Sequence, residues 1–347
     1  MLTRPLVGYF EMNLQSELPD RTHGVSLVVP VRDEAATILD LLRSIRMQTL
    51  SPSEVVFVDG GSIDDTVTIL RQAAIQNPSL RIIEARDATP GKGRNLGIAA
   101  AAYDWIALTD AGIQLEPNWL QSLIDEVRCH PATKLVLGNY EPKTTTFFEE
   151  CAATAYVPPK QKRPAGLVRG PSVASCLLRR ELWSAVGGFP DLRAAEDLIF
   201  MERCEQSGVQ VEWAPAATVH WQLQPTLAKT FRRFVLYSRQ NVMANRERHW
   251  HYGIAQQYLL ALLLVVLAAV QGWGWLTLLF LAAWARVAKA IVLHREGRNP
   301  WWALNPVRFL MVAVILITID LATFVGWGQA VSEKVMRVAG IGKHSVE

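Results

Sequence analysis

Short apolar runs, each ending in a cluster of polar and turn-forming residues, alternate along the first two-thirds of the chain with stretches whose apolar positions recur every three or four. Val25–Val29 is closed by Pro30 and the polar Arg32-Asp33-Glu34, after which Ile38, Leu41, Leu42 and Ile45 share one helical face. The unit repeats at once. Glu54–Val58 is a strand, Asp59-Gly-Gly-Ser62 its turn, and Asp64 opens a helix that packs Val67, Ile69 and Leu70 inward. A third strand near Arg81–Glu84 leads to a glycine-rich loop, Gly91-Lys-Gly-Arg-Asn95, and an Ala-rich helix ending near Ala102. Ile106-Ala107-Leu108 then reads as a strand buried on both faces, with Asp110 at the tip of the turn that ends it. Strands alternating with helices predict an α/β fold with a doubly wound, mostly parallel sheet, whose ligands gather outside the strand C-termini.

Further along, residues 117–129 predict a helix and Lys134–Gly138 a strand. Pro158, Pro159 and Pro164, with Lys160, Lys162 and Arg163, mark an unusually long loop, either an acceptor-binding flap or a solvated basic loop. After Ser175–Leu178, Glu181 begins a short helix that ends at Gly187-Gly-Phe-Pro190. Glu196-Asp197 open a helix to Gly208, and a last strand, Val209–Trp213, leads through Pro215 to His220.

From residue 254 onward apolar runs of bilayer-spanning length take over, roughly 254–271, 274–293 and 307–327. Gln271-Gly-Trp-Gly-Trp275 makes a tight hairpin between the first two, and the loop from His294 to Pro306, carrying Arg295 and Arg298, belongs on the cytosolic side. Three spans would leave Lys334, Arg337 and Lys343 on the other side, against the same rule. Arg286 and Lys289 are read as snorkelling from the end of the second span. Asp320, inside the third beside Thr318 and Thr323, is either functional or a hydrogen-bonded structural acid. Ahead of the spans, residues 227–242 set Leu227, Phe231, Phe234, Val235 and Val242 on one face, with Lys229, Arg232, Arg233 and Arg239 mostly elsewhere. Such a helix lies on a membrane surface or packs on the preceding domain with its basic face in water. With Arg246 and Arg248 the segment 225–250 is strongly basic, as an anionic lipid surface requires.

The net charge of +3 is too small to argue for nucleic acid as a partner. Cys129, Cys151, Cys176 and Cys204 form no C-x-x-C pair, so neither a zinc site nor a disulfide framework is expected, and a reducing compartment fits. The first 24 residues carry Arg4, Glu11, Glu17, Asp20 and Arg21 without an apolar core, so no cleavable signal is expected and the large domain should stay cytosolic.

Asp110 alone is ambiguous: a carboxylate at a strand end can hold Mg²⁺ or Mn²⁺ against a phosphate, and it can equally open a surface turn. Five polar turns on one sheet edge say more. Val-Pro-Val-Arg-Asp-Glu34, Val-Asp-Gly-Gly-Ser-Ile-Asp-Asp-Thr66, Gly-Arg-Asn-Leu-Gly97, Thr-Asp-Ala-Gly112, and Val-Gly-Gly-Phe189 with Ala-Glu-Asp197 together resemble the family-2 inverting glycosyltransferases of the GT-A fold, over roughly residues 24–240. The resemblance implies that Pro30, Glu34, Asp59, Arg94 and Asp110 bind a nucleotide-sugar, with Asp59 accepting from a uracil or guanine N–H, and Lys92 joins them through its proximity to Arg94. It implies a divalent metal, Mg²⁺ or Mn²⁺, at Asp110, with His220 placed to help hold the metal or the diphosphate. It makes Asp197, beside Glu196, the general base that takes the acceptor's proton. Three positions depart from the family pattern: Arg32-Asp33 replace Tyr-Asn, and Gly112 replaces the second acid of D-x-D.

The chain then divides into a lead-in (1–23), a GT-A glycosyltransferase domain (24–224), a basic amphipathic interface helix (225–250) and a transmembrane region (251–347). The implied function is a membrane-anchored inverting glycosyltransferase of the hexosyltransferase type, sited in a bacterial inner membrane with its catalytic domain cytoplasmic. It would move a sugar from a nucleoside diphosphate donor, expected to be UDP-linked, to a lipid-linked or envelope or exopolysaccharide acceptor. A processive synthase is disfavoured because no Q-x-x-R-W sequence is present. The alternative from another class is a catalytically weak nucleotide-binding scaffold of a polysaccharide assembly complex, which Gly112 keeps open. A nucleotidyltransferase is disfavoured because the basic glycine-rich loop it needs after the first strand is missing.

Overall fold

The computed structural model describes residues 24–338; the expected lead-in and Lys343 lie outside the described residues. The first half alternates β1 (Val25–Val31), α1 (Ile38–Arg46), β2 (Glu54–Asp59), α2 (Thr66–Gln76), β3 (Leu80–Glu84), α3 (Pro90–Ala100) and β4 (Trp105–Leu108). β5 (Ile113–Leu115), α4 (Trp119–Cys129), β6 (Leu135–Lys143) and α5 (Phe147–Tyr156) follow, then a hairpin of β7 (Gln161–Arg163) and β8 (Gly166–Val168). β9 (Cys176–Arg179), α6 (Arg180–Ala185), α7 (Glu196–Gln206) and β10 (Val211–Gln222) complete the domain. Five helices come after it: α8 (Leu227–Met243), α9 (Glu247–Gln271), α10 (Gly274–Leu293), α11 (Pro300–Ala303) and α12 (Pro306–Val338).

Eight strands form one mostly parallel sheet in the order β3-β2-β1-β4-β9-β6-β10-β5. Only β9, inserted between β4 and β6, and β5 at the edge run against the rest. Val28, Val29, Val56, Phe57, Ile106 and Ala107 are all buried because helices cover both faces, which is why these strands read as unbroken apolar runs rather than alternations.

The expected glycine-rich loop at residues 91–95 is instead the first turns of α3. Pro90 opens the helix and the Thr89 hydroxyl accepts from the Lys92 amide at 3.2 Å, a start signal strong enough to carry three glycines. Those glycines serve close packing. A Cβ at Gly97 would lie 2.4 Å from Val28 Cγ1 and 3.1 Å from Val58 Cγ2, and one at Gly91 only 2.0 Å from the Pro190 carbonyl oxygen. Gly97→Ala gains about 1 kcal/mol of helix propensity but forces α3 off the sheet at a cost of about 1–3 kcal/mol. A lowered chemical-denaturation midpoint is therefore expected; a raised one would show that the helix can shift freely.

His220 also differs from expectation, lying within β10 because the strand continues past an irregularity between Trp213 and Thr218. In the C-terminal region three helices are long and apolar enough to cross a membrane: Trp250–Gln271, Gly274–Leu293 and Pro306–Arg337. Arg286 does not snorkel. It donates from Nη2 to Asp320 Oδ1 at 2.8 Å while the Tyr258 hydroxyl donates to Oδ2 at 3.0 Å, giving the fully buried Asp320 the counter-charge such a site demands.

Candidate active site

Asp59 is the last residue of β2 and Asp110 lies two residues past β4. Both strands run parallel to β1, so the two acids share one edge of the sheet. α3 and α7 bring the remaining groups to that edge. Arg94, only 3% exposed, donates from Nη2 to Asp110 Oδ1 at 2.6 Å and from Nη1 to Glu196 Oε1 at 2.8 Å. One guanidinium thus ties the end of β4 to the start of α7. Burial opposes its charge, yet Asp110, Glu196 and Asp197 outweigh that penalty and hold it protonated well above the ordinary guanidinium range. Ala195, just ahead of α7, has a left-handed backbone (φ 69°), a strained turn immediately before the acid pair.

Loss of hydration raises the Glu196 carboxyl, against the pull of Arg94 and with Asp197 adding to the rise. Burial likewise raises Asp197, opposed by Arg94 and reinforced by Asp110. A base must be ionised to accept a proton, so a raised pKa moves the acid limb of the rate profile upward. The rate should fall on acidification at a pH above the ordinary Asp value of about 4. A pH profile of kcat/KM checks this; a limb at or below that value would contradict Asp197, partly buried, as the base.

At the end of β2, Asp59 is 3% exposed and its oxygens accept from the Gly61 and Ser62 amides at 3.0 and 3.1 Å and from the Ser62 hydroxyl at 2.5 Å. Its carboxylate thereby shapes the turn after β2. Glu34 follows β1, its amide donating to Thr66 Oγ1 at 2.8 Å and its carboxylate accepting from the Thr37 hydroxyl. Pro30 supports α3, its Cβ 3.3 Å from where a Gly93 side chain would begin. A Cβ on Gly112 would sit 3.6 Å from Glu34 Oε2, so Glu34 borders the space that a second D-x-D acid would enter. Lys92, in the first turn of α3, lines a hollow with Asn95, Leu96 and Trp183.

Asp110 is suited to a divalent cation. Its side chain is 43% exposed, and only Oδ1 is engaged by a protein group among the described residues. His220 is less so, because its Nε2 lies 2.5 Å from Glu116 Oε1. Glu126, His130 and Glu212 also cluster closely enough to hold an ion. They flank the beginning of β10 and the end of α4, at the opposite rim from Asp110.

Several groups meet near this site, and of them the sequence singles out Lys160 alone, as part of a basic loop. Arg169, 5% exposed, donates to Glu141 Oε2 at 2.7 Å and to Glu296 Oε1 at 3.3 Å, and Lys160 lies 2.7 Å from Glu141 and 3.4 Å from Glu296. These four tie the β7–β8 loop to the segment between α10 and α11. Tyr140, stacked on Trp221, has a phenol pushed up to about 12 by burial, with Arg169 opposing and Glu141 and Asp197 adding. Asp197 is thus within electrostatic reach of Tyr140. None of these pairings joins neighbours in sequence, so no local pattern announces them.

Residues 26–182 match the family profile Glycosyl transferase family 2. The chain carries a family 2 glycosyl transferase domain. Curated relatives of this domain include the EpsH protein of Bacillus subtilis, 27% identical over 58% of this chain and 61% of that protein. The succinoglycan biosynthesis protein ExoO of Rhizobium meliloti is 36% identical over 30% of each chain. The chain spans less than two-thirds of the length of the curated relatives it matches. Among solved structures, a mannosyltransferase from Pyrobaculum calidifontis in complex with GDP-Man and Mn²⁺ superposes with a TM-score of 0.55 at 20% identity, over 84% of this chain and 86% of that one. That likeness fixes the fold of the family 2 domain as GT-A-type.

Proposed function

We propose that the protein is a membrane-anchored inverting glycosyltransferase. It moves a sugar from a nucleoside diphosphate donor, UDP-linked in our reading, to a lipid-linked or envelope or exopolysaccharide acceptor at the cytosolic membrane face. The observation that carries this reading is the single guanidinium of Arg94 joining Asp110 to Glu196, which brings the end of β4 and the start of α7 together.

In this reading Asp197 accepts the proton of the acceptor hydroxyl as its oxygen attacks the anomeric carbon. Glu196 and Arg94 hold Asp197 in place, and the loops bearing Asp59 and Glu34 seat the nucleotide. A cation on Asp110 would neutralise charge on the departing diphosphate. The tie from the β7–β8 loop through Arg169 to Glu296 supports a membrane acceptor, since it joins the catalytic domain to the segment that links two apolar helices.

The test is donor turnover by the purified full chain across UDP-, GDP- and dTDP-sugars with Mg²⁺ or Mn²⁺, using membrane extract as acceptor source. Metal-dependent release of UDP is expected. Donor binding with no release from any nucleotide would favour the scaffold.

A further inference from the structure

α12 is the longest apolar helix in the chain, yet it touches the catalytic side along most of its length. Near its start Arg308 donates from Nη2 to Glu150 of α5 at 2.9 Å. In its middle Ser238 of α8 donates to the Thr323 carbonyl at 2.7 Å, and Gly326 lets the backbones meet: a Cβ there would lie 2.4 Å from the Val235 carbonyl oxygen. Near its end Arg239 of α8 donates to Glu333 at 2.7 Å, and Lys334 to Asn245 at 2.9 Å. From Arg308 to Lys334 the axis covers about 39 Å at 1.5 Å per residue. A hydrocarbon core is about 30 Å thick. A helix crossing it can meet a cytosolic domain at one end only.

α9 and α10 behave differently. They touch α12 near their base, through the rings of His251 and Trp327 at 5.3 Å and through Tyr258 and Arg286 on Asp320. Trp284 and Arg286, two residues apart on α10, reach Phe309 and Asp320, eleven apart on α12, so the two helices cross steeply. Beyond this crossing the pair projects freely, with Leu259, Leu263, Phe280 and Leu281 exposed. Each projecting arm is about 20 Å long, which with the roughly 10 Å width of α12 matches the apolar thickness of a bilayer.

We propose that α12 lies in the plane of the membrane, sandwiched between α8 and the base of the α9–α10 hairpin, and that this hairpin alone crosses the bilayer. The occupant of the exposed face of α12 is then lipid. Leu310, Val314, Ile317, Leu321 and Val325 form one apolar stripe on that face, continuous with the hairpin, while Lys229, Arg232 and Arg233 stand exposed on α8 toward anionic headgroups. The end of α12, with Lys334 and Arg337, stays on the catalytic side. That removes the conflict with the positive-inside rule that three crossings create. The proposal holds whichever donor the site takes.

The test is accessibility of single cysteines to a membrane-impermeant maleimide in sealed vesicles of both orientations. The background is the full chain with the exposed Cys129 replaced by Ser; the other cysteines are buried. Ser332→Cys near the end of α12 should react from the same side as Ile75→Cys on the exposed face of α2, and Trp273→Cys at the hairpin turn from the opposite side. Ser332→Cys reacting with Trp273→Cys, or Trp273→Cys with Ile75→Cys, would overturn the proposal. Spin labels at Leu310, Leu321 and Val335 in lipid nanodiscs should report one common depth. A profile deepest at Leu321 would mean a crossing helix, and labels shielded from lipid at all three would mean a face covered by a second copy; either result rejects it.

Discussion

Arg94→Ala is expected to lower the folding stability by about 3 kcal/mol, as removal of one partner from a buried ion pair does, and to bring sugar transfer to background. The guanidinium is 4% exposed and its Glu196 partner 7%, so solvent cannot replace the lost arm. The loss should grow with pH. Without Arg94 the buried Glu196 carboxyl, already raised, rises further, and above that value the fold must hold an unpaired charge. Arg94→Lys keeps the charge but offers a point ammonium where two arms reach Asp110 and Glu196 together, so it should recover part of the stability and little of the activity. Chemical denaturation at two pH values, alongside turnover, checks this. Wild-type stability in the alanine variant would show that the bridge holds nothing together.

The second large effect is Asp197→Asn. The amide keeps the size of the carboxylate and its contact with the Leu198 amide, at 2.8 Å in the wild type, but cannot accept a proton at neutral pH. Loss of a general base lowers turnover by about 10²–10⁴-fold, whereas donor affinity, set by other loops, should change by less than about threefold. Isothermal calorimetry with UDP and a turnover assay on the same sample separate the two. Equal losses in binding and rate would mean that Asp197 belongs to the donor site.

Much of this arrangement is legible in the sequence because its parts are local. Apolar runs closed by polar turns announce β1, β2 and β4, and parallel strands separated by helices oblige Asp59 and Asp110 to meet at one edge. What is illegible depends on distant partners. Arg94 and Glu196 are 102 residues apart, and nothing in Gly-Arg-Asn-Leu-Gly97 says which acid its guanidinium will find. The glycines of α3 read as a loop because their reason, the closeness of Val28 and of the Pro190 carbonyl, lies in other segments. Hydropathy likewise finds α12 but not its direction, since the contacts to α5 and α8 that oppose a crossing are tertiary. His220 is the opposite case, in view from the sequence but turned to Glu116 by the register of β10 on β5.

In the proposed reaction a single displacement at the anomeric carbon is driven by one carboxylate base on the face opposite the leaving diphosphate. Nuclear magnetic resonance of the product formed by the wild-type protein from an α-linked nucleotide-sugar reads this most directly. A β-linked product is predicted; an α-linked one would contradict a reaction in which Asp197 acts only as a base.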